Sequence, residues 1–464
     1  MRYKLVVEQV INDIETEKRK PGSRMPSIRK MAKLCGVSIT TINNAYHALE
    51  DGGYLLSKPK AGFFVALPSV SISEPVLPQF KSVERDYTLI SNVNTSQQHL
   101  QSPLGLSQLS PSYVPYRAFK RSIKRVIRRL DDDVFHFYPE ASGEPCLKEA
   151  LSHHFLKYGF AFKSDELTIT NGCIDAIRHA IETATNEGDT IAINSPCFNG
   201  LLELLAKTKR KVIEIPSVKD GIDLEQFEWL AKEKQIQAGL FSCTHMNPQG
   251  ISLTSQQKQR LAQLANLYEI PVIEDDVYLE LSHTKLTPLP SKYWDSDGYI
   301  LWCGSVSKTL SAGLRLGWCL AGRFQKDYIR NMETSQLGVS KPLQHALADF
   351  ISNGLYAKHV QEVRVILKAQ ILEYRRFIAA YFPPTVAVSA PSGGLVLWMQ
   401  CQSLNADMFK EQLRQSMIDV RFGELFSTLP HYNNYLRINC GTPLTESLSE
   451  QLKMLAEMIQ TCTQ

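Results

Sequence analysis

The stretch LWCGSVSKTLSAGLRLGW, residues 301–318, decides the fold of the second half of the chain. It opens with an apolar run typical of a buried strand and continues into a loop that carries Ser305, Ser307, Lys308 and Arg315. Two hydroxyls, an amine and a guanidinium can hold a phosphate monoester beside an amine nucleophile. A lysine at a strand end is more often a solvated surface residue, so this stretch alone leaves both interpretations open.

Upstream segments repeat this pattern of a strand followed by polar or aromatic residues. PVIEDDVYLEL places Asp275 at a strand end and Tyr278 three residues later. Ligands of open α/β sheets bind at the carboxyl ends of strands, although a helix cap is the more ordinary interpretation of Asp275 alone. THMNPQG supplies Asn247 and INSPCFNG supplies Phe198. Taken singly, a turn is the more ordinary interpretation of Asn247 and a core aromatic that of Phe198.

A predicted helix start adds a site for an anion. In ITNGCIDAI, Gly172, Cys173 and Ile174 lie where a helix begins after the strand LTIT. The free backbone N–H groups and the helix dipole attract negative charge at such a position. A plain helix start, with no ligand, explains the same pattern.

Apolar strands alternate with helical stretches through most of the chain, which is typical of a mostly parallel sheet covered by helices. Past about residue 340 the pattern becomes mainly helical, and later strands predict a second, smaller α/β part. The predicted strands of the larger part are LTIT, TIAIN, KVIEIP, AGLFSC, PVIEDD, YILWCGS and GWCLA, and those of the smaller part are TVAVSA, GGLVLWMQ and NYLRINC.

The first 66 residues predict a different fold. Apolar residues at helical spacing occupy 6–14, and Ser27 and Ser38 are placed to cap a second and a third helix around the turn at 36–37. YLLSKP and GFFVAL then predict two strands joined at residues 60–62. Three helices followed by a hairpin make a winged helix, in which the second and third helices form a helix-turn-helix.

Charge is concentrated in this N-terminal head. The chain carries a net +4, yet its first 66 residues hold 11 Lys and Arg against 6 Asp and Glu, so the remainder sums to −1. A basic head on a near-neutral body suggests a polyanionic partner, and a solvated basic face explains the charge equally well. Hydrophobic content of 44% and charged content of 21% are ordinary for a globular protein.

Several protein classes are disfavoured. The N-terminus has no signal-peptide pattern, and no apolar run is long enough to span a bilayer. The ten cysteines include no CxxC pair, which argues against a zinc site and a disulfide framework. We therefore expect a cytoplasmic protein that binds neither a metal nor a membrane.

Residues 67–86 predict a flexible linker, because they are rich in Pro and Ser and lack a sustained period. Its ends would average about 25 Å apart. The predicted division is a winged helix at 1–66, this linker, and a body at 87–464 whose large part runs to about 340 and whose small part runs from about 380.

Taken together, the order NG, SPCF, NPxG, DxxY, SxSK, an arginine seven residues later and Arg437 in YLRINC resembles the fold-type I aminotransferases over about residues 100–464. The head, with RMPSIRKMAKLCGVSITTINNAYHALEDGGYL and the wing KAGFFV, resembles the GntR group. The whole chain is similar to the MocR subfamily of GntR-type transcription regulators. The resemblance implies an α/β fold of the pyridoxal-phosphate-dependent transferase type I, with a large and a small domain, behind a winged helix-turn-helix domain.

The resemblance assigns a role to each site residue. Lys308 would form a Schiff base with pyridoxal phosphate, Asp275 would pair with the pyridine nitrogen, and Phe198 would stack on the ring. Tyr278 and Asn247 would hydrogen-bond the ring oxygen. The phosphate would be held by Ser305, Ser307, Arg315 and the backbone amides near Gly172, Cys173 and Ile174.

The resemblance also assigns roles to two further residues. Tyr138 matches a tyrosine that reaches the phosphate of the partner subunit's cofactor, which implies a homodimer with shared sites. Arg437 would bind the carboxylate of an amino-acid ligand. The chain departs from the family at Cys173 and Ile174, where small or polar residues are usual, and at Phe198, where many relatives have tyrosine.

For double-stranded DNA, the resemblance indicates a set of polar residues on the head and wing. These are Arg24, Ser27, Arg29, Ser38, Thr40, Thr41, Lys60 and Gly62. A second basic stretch, YRAFKRSIKRVIRR at 116–129, has helical spacing, and a solvated face is its more ordinary interpretation.

Two functions remain open at this point. One is a transcription regulator that binds an operator and senses pyridoxal phosphate or an amino-acid effector through an imine at the cofactor. The other is an active aminotransferase that carries a DNA-binding appendage. The head favours the regulator, because an enzyme has no need of a basic winged helix.

Overall fold

The structure, a computed structural model, describes residues 2–16, 18–20, 22–51, 54–58, 62–66, 72–85, 102–284, 286–416 and 418–463. These residues form two compact units. One contains the described residues up to 72 together with 372–384 and 446–460, and the other contains 73–371, 385–445 and 461–463. Within the described part of the chain, no helix is both long enough and apolar enough to cross a bilayer.

The N-terminal residues form the predicted winged helix. Helices α1 (Arg2–Glu15), α2 (Ile28–Cys35) and α3 (Ile39–Asp51) precede strands β1 (Leu55–Lys58) and β2 (Gly62–Val65). The two strands pair antiparallel, so the predicted hairpin is confirmed. Val10, Ile42, Leu49 and Leu55 are buried in the core that the three helices and the hairpin share.

Both predicted serine caps are present. The Ser27 hydroxyl accepts a hydrogen bond from the Lys30 N–H at 3.3 Å, and the Ser38 hydroxyl accepts one from the Thr41 N–H at 3.1 Å. Each satisfies an N–H group that has no partner inside its own helix. Gly36 ends α2 with φ at 64°, a conformation that glycine adopts without a steric penalty. The sequence therefore determines the helix-turn-helix locally.

The body is built on a nine-stranded sheet. Its spatial order is β3-β6-β5-β8-β9-β10-β11-β4, with β7 paired to β6. Neighbours among β5, β6, β8, β9 and β10 are parallel, whereas β3, β4, β7 and β11 pair antiparallel. The strands are β3 (Glu84–Arg85), β4 (Leu167–Thr170), β5 (Thr190–Ser195), β6 (Lys211–Val218), β7 (Gly221–Ile222), β8 (Ala238–Ser242), β9 (Val272–Asp275), β10 (Ile300–Ser305) and β11 (Gly317–Leu320).

Helices cover both faces of this sheet. Along β10, Leu301 and Cys303 pack into the cluster that contains α7 and α11, whereas Trp302 packs edge-on against Phe155 of α6 at 5.0 Å. Alternation of this kind is expected when both faces of a strand are buried. The helices are α4 (Tyr116–Ile127), α5 (Asp133–His136), α6 (Pro145–Leu156), α7 (Cys173–Ala184), α8 (Asn199–Lys207), α9 (Leu224–Lys232), α10 (Ser255–Leu267), α11 (Gln325–Ser335), α12 (Lys341–Ser352) and α13 (Leu355–Tyr381).

A second sheet follows, as the sequence predicts. It is antiparallel, in the order β12-β13-β15-β14. Arg437 lies on its strand β15, opposite Trp398 on one neighbour and Arg421 on the other. The elements of this region are β12 (Val386–Val388), β13 (Val396–Cys401), α14 (Ala406–Arg414), β14 (Arg421–Phe422), β15 (Tyr435–Asn439) and α15 (Glu446–Thr461).

The prediction of a flexible linker is wrong for residues 73–85. The Val76 N–H donates to the Gln400 side chain at 2.9 Å, and the Ser82 hydroxyl donates to the Gln226 side chain at 2.8 Å. Strand β3 then joins the large sheet beside β6. The segment is held by partners far away in the sequence, which its Pro- and Ser-rich composition does not reveal. The rest of the predicted linker, apart from residue 72, lies outside the described residues.

Candidate cofactor site and DNA-binding surface

Polar side chains meet where the central parallel strands end. Ser242, Asp275 and Ser305 are the last residues of β8, β9 and β10, which are neighbours in the sheet. This edge of an open α/β sheet is where ligands bind. A cavity of about 160 Å³ opens here. Its lining is Cys173, Ile174, Phe198, Ser242, Asn247, Asp275, Val277, Tyr278, Ser305, Ser307, Lys308, Ala312 and Arg315.

The structure therefore brings together most of the predicted cofactor residues. Gly172 lies next to the lining as the N-cap of α7, and Arg437 contacts the lining residue Asn247. Tyr138 does not line the cavity. It lies between α5 and α6, and its side chain is 79% exposed in the single chain.

Lys308 provides an amine at this cavity. Its Nζ donates a hydrogen bond to the carbonyl oxygen of Ser107 at 2.7 Å. Burial, followed by repulsion from Arg437, lowers the pKa of Lys308 from 10.5 to about 8, and attraction to Asp275 opposes this shift. About a tenth of the amine is consequently neutral, and so nucleophilic, at pH 7, far more than for a lysine with a pKa of 10.5.

Asp275 provides a buried carboxylate to the same cavity. Its two oxygens accept hydrogen bonds from the Cys173 thiol and the Ser242 hydroxyl, each at 3.4 Å. Burial raises the pKa of Asp275 from 3.8 to about 6. A bound ligand with a protonated ring nitrogen beside this carboxylate would offset the free-energy cost of burying its charge.

Tyr278, Asn247 and Arg437 form a hydrogen-bonded chain at the cavity. Asn247 donates to the Tyr278 hydroxyl at 3.4 Å and accepts from Arg437 at 3.1 Å. Arg437 also donates to the carbonyl of Gly105, while its Nε has no partner among the described residues. Burial lowers the pKa of Arg437 to about 10. A buried guanidinium without a carboxylate partner is a natural receptor for one.

The other end of the cavity suits an anion. Gly172 has φ at 91°, and a Cβ there would lie 2.6 Å from the Arg315 guanidinium, so glycine permits the close approach. Arg315 donates to the carbonyl of Asn171 at 2.8 Å, which holds it beside the N-terminus of α7. The Ser305 hydroxyl accepts from the Ser307 N–H at 3.3 Å, leaving its own proton available to a ligand.

Sequence reasoning missed three residues here. Ser107 and Gly105 act through backbone carbonyls, which no side-chain pattern reveals. Ser242 could have been found, because it is a polar residue at the end of a predicted strand. The predicted departure at Cys173 also gains an explanation, since its thiol donates to Asp275.

On the head, the predicted DNA residues lie at the surface. Ser27, Arg29, Ser38, Thr40 and Gly62 are exposed. The hydroxyls of Ser27 and Ser38 serve as helix caps, so their contribution to DNA contact would be secondary.

Three further residues complete the predicted set. Thr41 is half-buried, and its hydroxyl lies 2.8 Å from that of Ser38. Arg24 is exposed on a segment bridged to β2 at Phe64, beside the wing. Lys60 lies outside the described residues.

Comparison with known proteins agrees with this geometry. The family described as aminotransferase class I and II matches residues 105–457, and the bacterial regulatory proteins of the gntR family match residues 2–65. Two Escherichia coli K12 proteins, named uncharacterized HTH-type transcriptional regulators YdcR and YjiR, are each 30% identical over 99% of this chain. The alignments cover 99% and 98% of those proteins.

A solved structure shows the same fold. LysN, the α-aminoadipate aminotransferase of Thermus thermophilus, was crystallised with N-(5'-phosphopyridoxyl)-L-leucine. It aligns with a TM-score of 0.73 at 19% identity, over 81% of this chain and 97% of its own. At this identity the likeness concerns the fold alone.

A winged helix and an aminotransferase-type pocket on one chain define a DNA-binding regulator built on an enzyme fold. The chain belongs to the aminotransferase class I and II family, in the branch of HTH-type transcriptional regulators of the MocR kind that place a GntR domain before the aminotransferase domain.

The residues present fit pyridoxal phosphate, the cofactor of this family. The cavity offers an amine for its aldehyde, a carboxylate for its ring nitrogen, an aromatic ring at Phe198 and an anion site beside α7. When bound, the cofactor supplies an aldehyde that condenses with amines and a ring that withdraws electrons.

Proposed function

We propose that this regulator couples DNA binding by its winged helix to occupation of the cavity that Lys308 and Asp275 line. The observation that carries the proposal is the pairing, in one chain, of a buried amine with a lowered pKa and a helix-turn-helix with an exposed polar face. A DNA-binding head places its site of action on the chromosome, and hence in the cytoplasm. An operator and a small effector are then its two ligands.

Each residue of the cavity has a defined task in this proposal. Lys308 would hold the cofactor through its amine, and Asp275 would keep a proton on the ring nitrogen. Tyr278 and Asn247 orient the ring, and Phe198 packs on its face. The phosphate is bound by Ser305, Ser307, Arg315 and the N–H groups of Gly172, Cys173 and Ile174.

The effector is an amino acid, because Arg437 selects for a carboxylate. Its guanidinium is buried, lacks a carboxylate partner among the described residues, and is close enough to Lys308 to lower the pKa of that amine. A ligand carboxylate would neutralise this charge while its amino group meets the cofactor. Arg437 would exchange its contacts with Asn247 and Gly105 for the ligand, which changes the hydrogen bonds around the site.

We also propose a homodimer in which Tyr138 contributes to the partner's phosphate site. The support is its position: a tyrosine that is 79% exposed, beside exposed Phe135 and Phe137, forms an aromatic surface without a partner in the single chain. The winged helix at 1–66 remains our proposed DNA-binding module, and the body predicted at 87–464 remains the proposed cofactor-binding module, extended by residues 73–85, which are held against it. The family matches at 2–65 and 105–457 support that division.

DNA contact is assigned to the exposed side of the helix-turn-helix. Arg29 and Thr40 are exposed near the starts of α2 and α3, where side chains reach phosphates and base edges. Arg24 and Gly62 belong to the wing side of the same surface, and Lys60, which lies outside the described residues, stays a prediction. Ser27, Ser38 and Thr41 contribute mainly by fixing the helix starts.

The test is selection of genomic DNA fragments by the full chain, followed by titration of a selected fragment. The titration is performed without ligand, with pyridoxal phosphate, and with pyridoxal phosphate plus each common amino acid. We expect a fragment to bind and at least one amino acid to change its Kd. If no fragment is bound in preference to random DNA, the regulator proposal is wrong.

The second candidate function is transamination, which the complete set of amine, carboxylate and anion-binding groups favours. One observation on the chain with bound cofactor distinguishes transamination from sensing. Addition of the effector alone, without a keto acid, converts the cofactor to its amine form in a transaminase. In a sensor the effector dissociates unchanged and the cofactor's original absorbance returns on dialysis.

A further inference from the structure

Helix α4 carries a basic face that the proposed function does not use. Arg117, Lys120, Arg121, Lys124 and Arg128 are all exposed. At about 100° per residue, these five side chains fall within an arc of about 100° on one side of the helix. None of them forms an ion pair within the described part of the chain. The helix therefore presents a row of unneutralised cations to solvent.

The opposite face of α4 fixes the helix to the body. Phe119, Ser122 and Val126 are buried, and Phe119 packs edge-on against Phe350 of α12 at 5.4 Å. Arg125, between the two faces, donates to the Asp349 carboxylate at 2.9 Å, and this bond is the largest cause of the lowered pKa of Asp349. Arg125 thus has a structural task, which distinguishes it from the five exposed cations of the row. The basic row is rigidly placed rather than carried on a loop.

The net charge of the rest of the body is of the opposite sign. Residues 116–129 hold seven Lys and Arg and no Asp or Glu. Apart from this stretch and the first 66 residues, the rest of the chain carries a net −8. A general excess of positive charge therefore does not explain the row. Like charges this close repel one another, since they lie within a Debye length of about 10 Å at 0.1 M salt.

A polyanion with regularly spaced charges would relieve that repulsion. From position 117 to position 128 the row extends about 16 Å along the helix, at 1.5 Å per residue. Duplex DNA carries one negative charge per about 1.7 Å of its axis, so roughly five base pairs match this length. The proposed function already gives the chain a duplex ligand, so duplex DNA is the polyanion that we assign to the row.

We propose that the α4 face is a second DNA-contacting surface, which binds phosphates without reading sequence. This inference rests on the proposed DNA binding of the head and adds a contact made by the body. Such contacts position a protein on the duplex and raise its affinity without specifying bases. The head would then select the site, and the α4 face would strengthen binding to the flanking duplex.

The acidic residues nearby limit which cations take part. Asp131, Asp132 and Asp133 are exposed, and only Leu130 separates them from Arg129. Their carboxylates oppose phosphate near that end of the helix. We therefore assign the contact to the four cations of the preceding turns, which are Arg117, Lys120, Arg121 and Lys124.

The test compares two full-length variants of equal charge. One replaces the four assigned cations by glutamine, as R117Q, K120Q, R121Q and K124Q. The control replaces four exposed cations elsewhere on the body, as K157Q, K207Q, K326Q and R330Q. Affinity for a random-sequence duplex of about 60 base pairs is measured by anisotropy over a range of salt, because the slope of log K against log salt counts phosphate contacts. Circular dichroism and the absorbance of bound cofactor establish that both variants fold.

We expect the α4 variant to lose up to about 3 to 4 units of the salt slope, and its Kd at low salt to rise about tenfold or more. The control should keep the wild-type slope. Equal slopes for the α4 variant and wild type, or equal losses in both variants, would overturn the inference while leaving the head's role intact. If wild type itself does not bind duplex at low salt, the proposed DNA binding fails instead.

Discussion

The amine of Lys308 donates a hydrogen bond to the backbone carbonyl of Ser107, and the hydroxyl of the same Ser107 lies 2.6 Å from that of Tyr278. One residue therefore positions both the lysine that we propose attaches the cofactor and a tyrosine that lines the cavity. The lowered pKa of Lys308 has other causes, since burial and repulsion from Arg437 outweigh any stabilisation of the charged amine by this hydrogen bond. The reactivity of the site thus depends on a segment far from Lys308 in sequence.

The first prediction concerns the pH at which Lys308 reacts. Only the neutral amine attacks an aldehyde, so the rate of cofactor capture should rise through a midpoint near pH 8 rather than near 10.5. Stopped-flow absorbance after mixing with pyridoxal phosphate gives this profile. Arg437→Gln should move the midpoint upward, because repulsion from Arg437 is the second cause of the shift after burial. A wild-type midpoint above 10 contradicts the buried-amine account.

The buried carboxylate of Asp275 should lower the free energy of unfolding of the cofactor-free protein. Its pKa is about 6 in the folded chain against 3.8 in the unfolded one, so the folded state binds the proton more tightly. The cost is absent below pH 4, grows as the pH rises and is complete above pH 6, where it reaches up to about 3 kcal/mol. Asp275→Asn should consequently melt at a higher temperature than wild type at pH 7.5, and at the same temperature at pH 4.

A matched control for this measurement is Asp327→Asn, which alters an exposed carboxylate on α11. It should leave the melting temperature unchanged at both pH values. Asp275→Asn should also bind pyridoxal phosphate more weakly than wild type, since the ring nitrogen loses its charged partner. A variant that is both less stable at pH 7.5 and unimpaired in cofactor binding would remove Asp275 from the site.

The head and the cofactor site should respond separately to mutation. Arg29→Ala should weaken binding to a selected fragment and reduce the salt slope by about 0.9, the value for one lost phosphate contact. The absorbance of bound cofactor should not change. Lys4→Ala, which removes an exposed cation from α1, serves as the control. Unaltered affinity of the Arg29 variant across the salt range would count against the assigned DNA surface.

Tyr138 tests the shared site. Although Tyr138 is exposed and outside the cavity lining, Tyr138→Phe should weaken cofactor binding about tenfold or more, the loss expected for a hydrogen bond to a charged group. Tyr116→Phe, another exposed tyrosine, should bind normally. Light scattering should report a dimer for all three proteins. A monomeric wild type, or a Tyr138 variant with unchanged affinity, would contradict the proposed arrangement.

Most of the fold follows from local sequence. The long strands were predictable because each is a buried apolar run, and the caps at Ser27 and Ser38 because serine satisfies helix-start N–H groups. The short strands β3, β7 and β14 were not predicted, since two residues carry no period. Likewise, the segment 73–85 reads as a linker because its stabilising partners, among them Gln226 and Gln400, are distant in sequence.

Like the fold, the candidate site was predictable from the sequence only in part. Lys308, Asp275 and Asn247 were candidates because they follow strands of an α/β sheet, and the combined order of the motifs, with the family that it resembles, decided in favour of function. The roles of Ser107 and Gly105 come from carbonyl groups whose direction only the tertiary structure sets. The basic face of α4 was visible as a pattern, but its lack of ion pairs in the described residues required the structure.

The most direct test of the central claim is the Kd of a selected DNA fragment, measured with and without pyridoxal phosphate plus each amino acid. The account predicts that at least one amino acid changes the Kd by about fivefold or more, the usual lower range of coupling between two sites. That change should vanish in Lys308→Ala and in Arg437→Ala. A Kd that stays constant for wild type across all ligands, or a full response in Lys308→Ala, would contradict it.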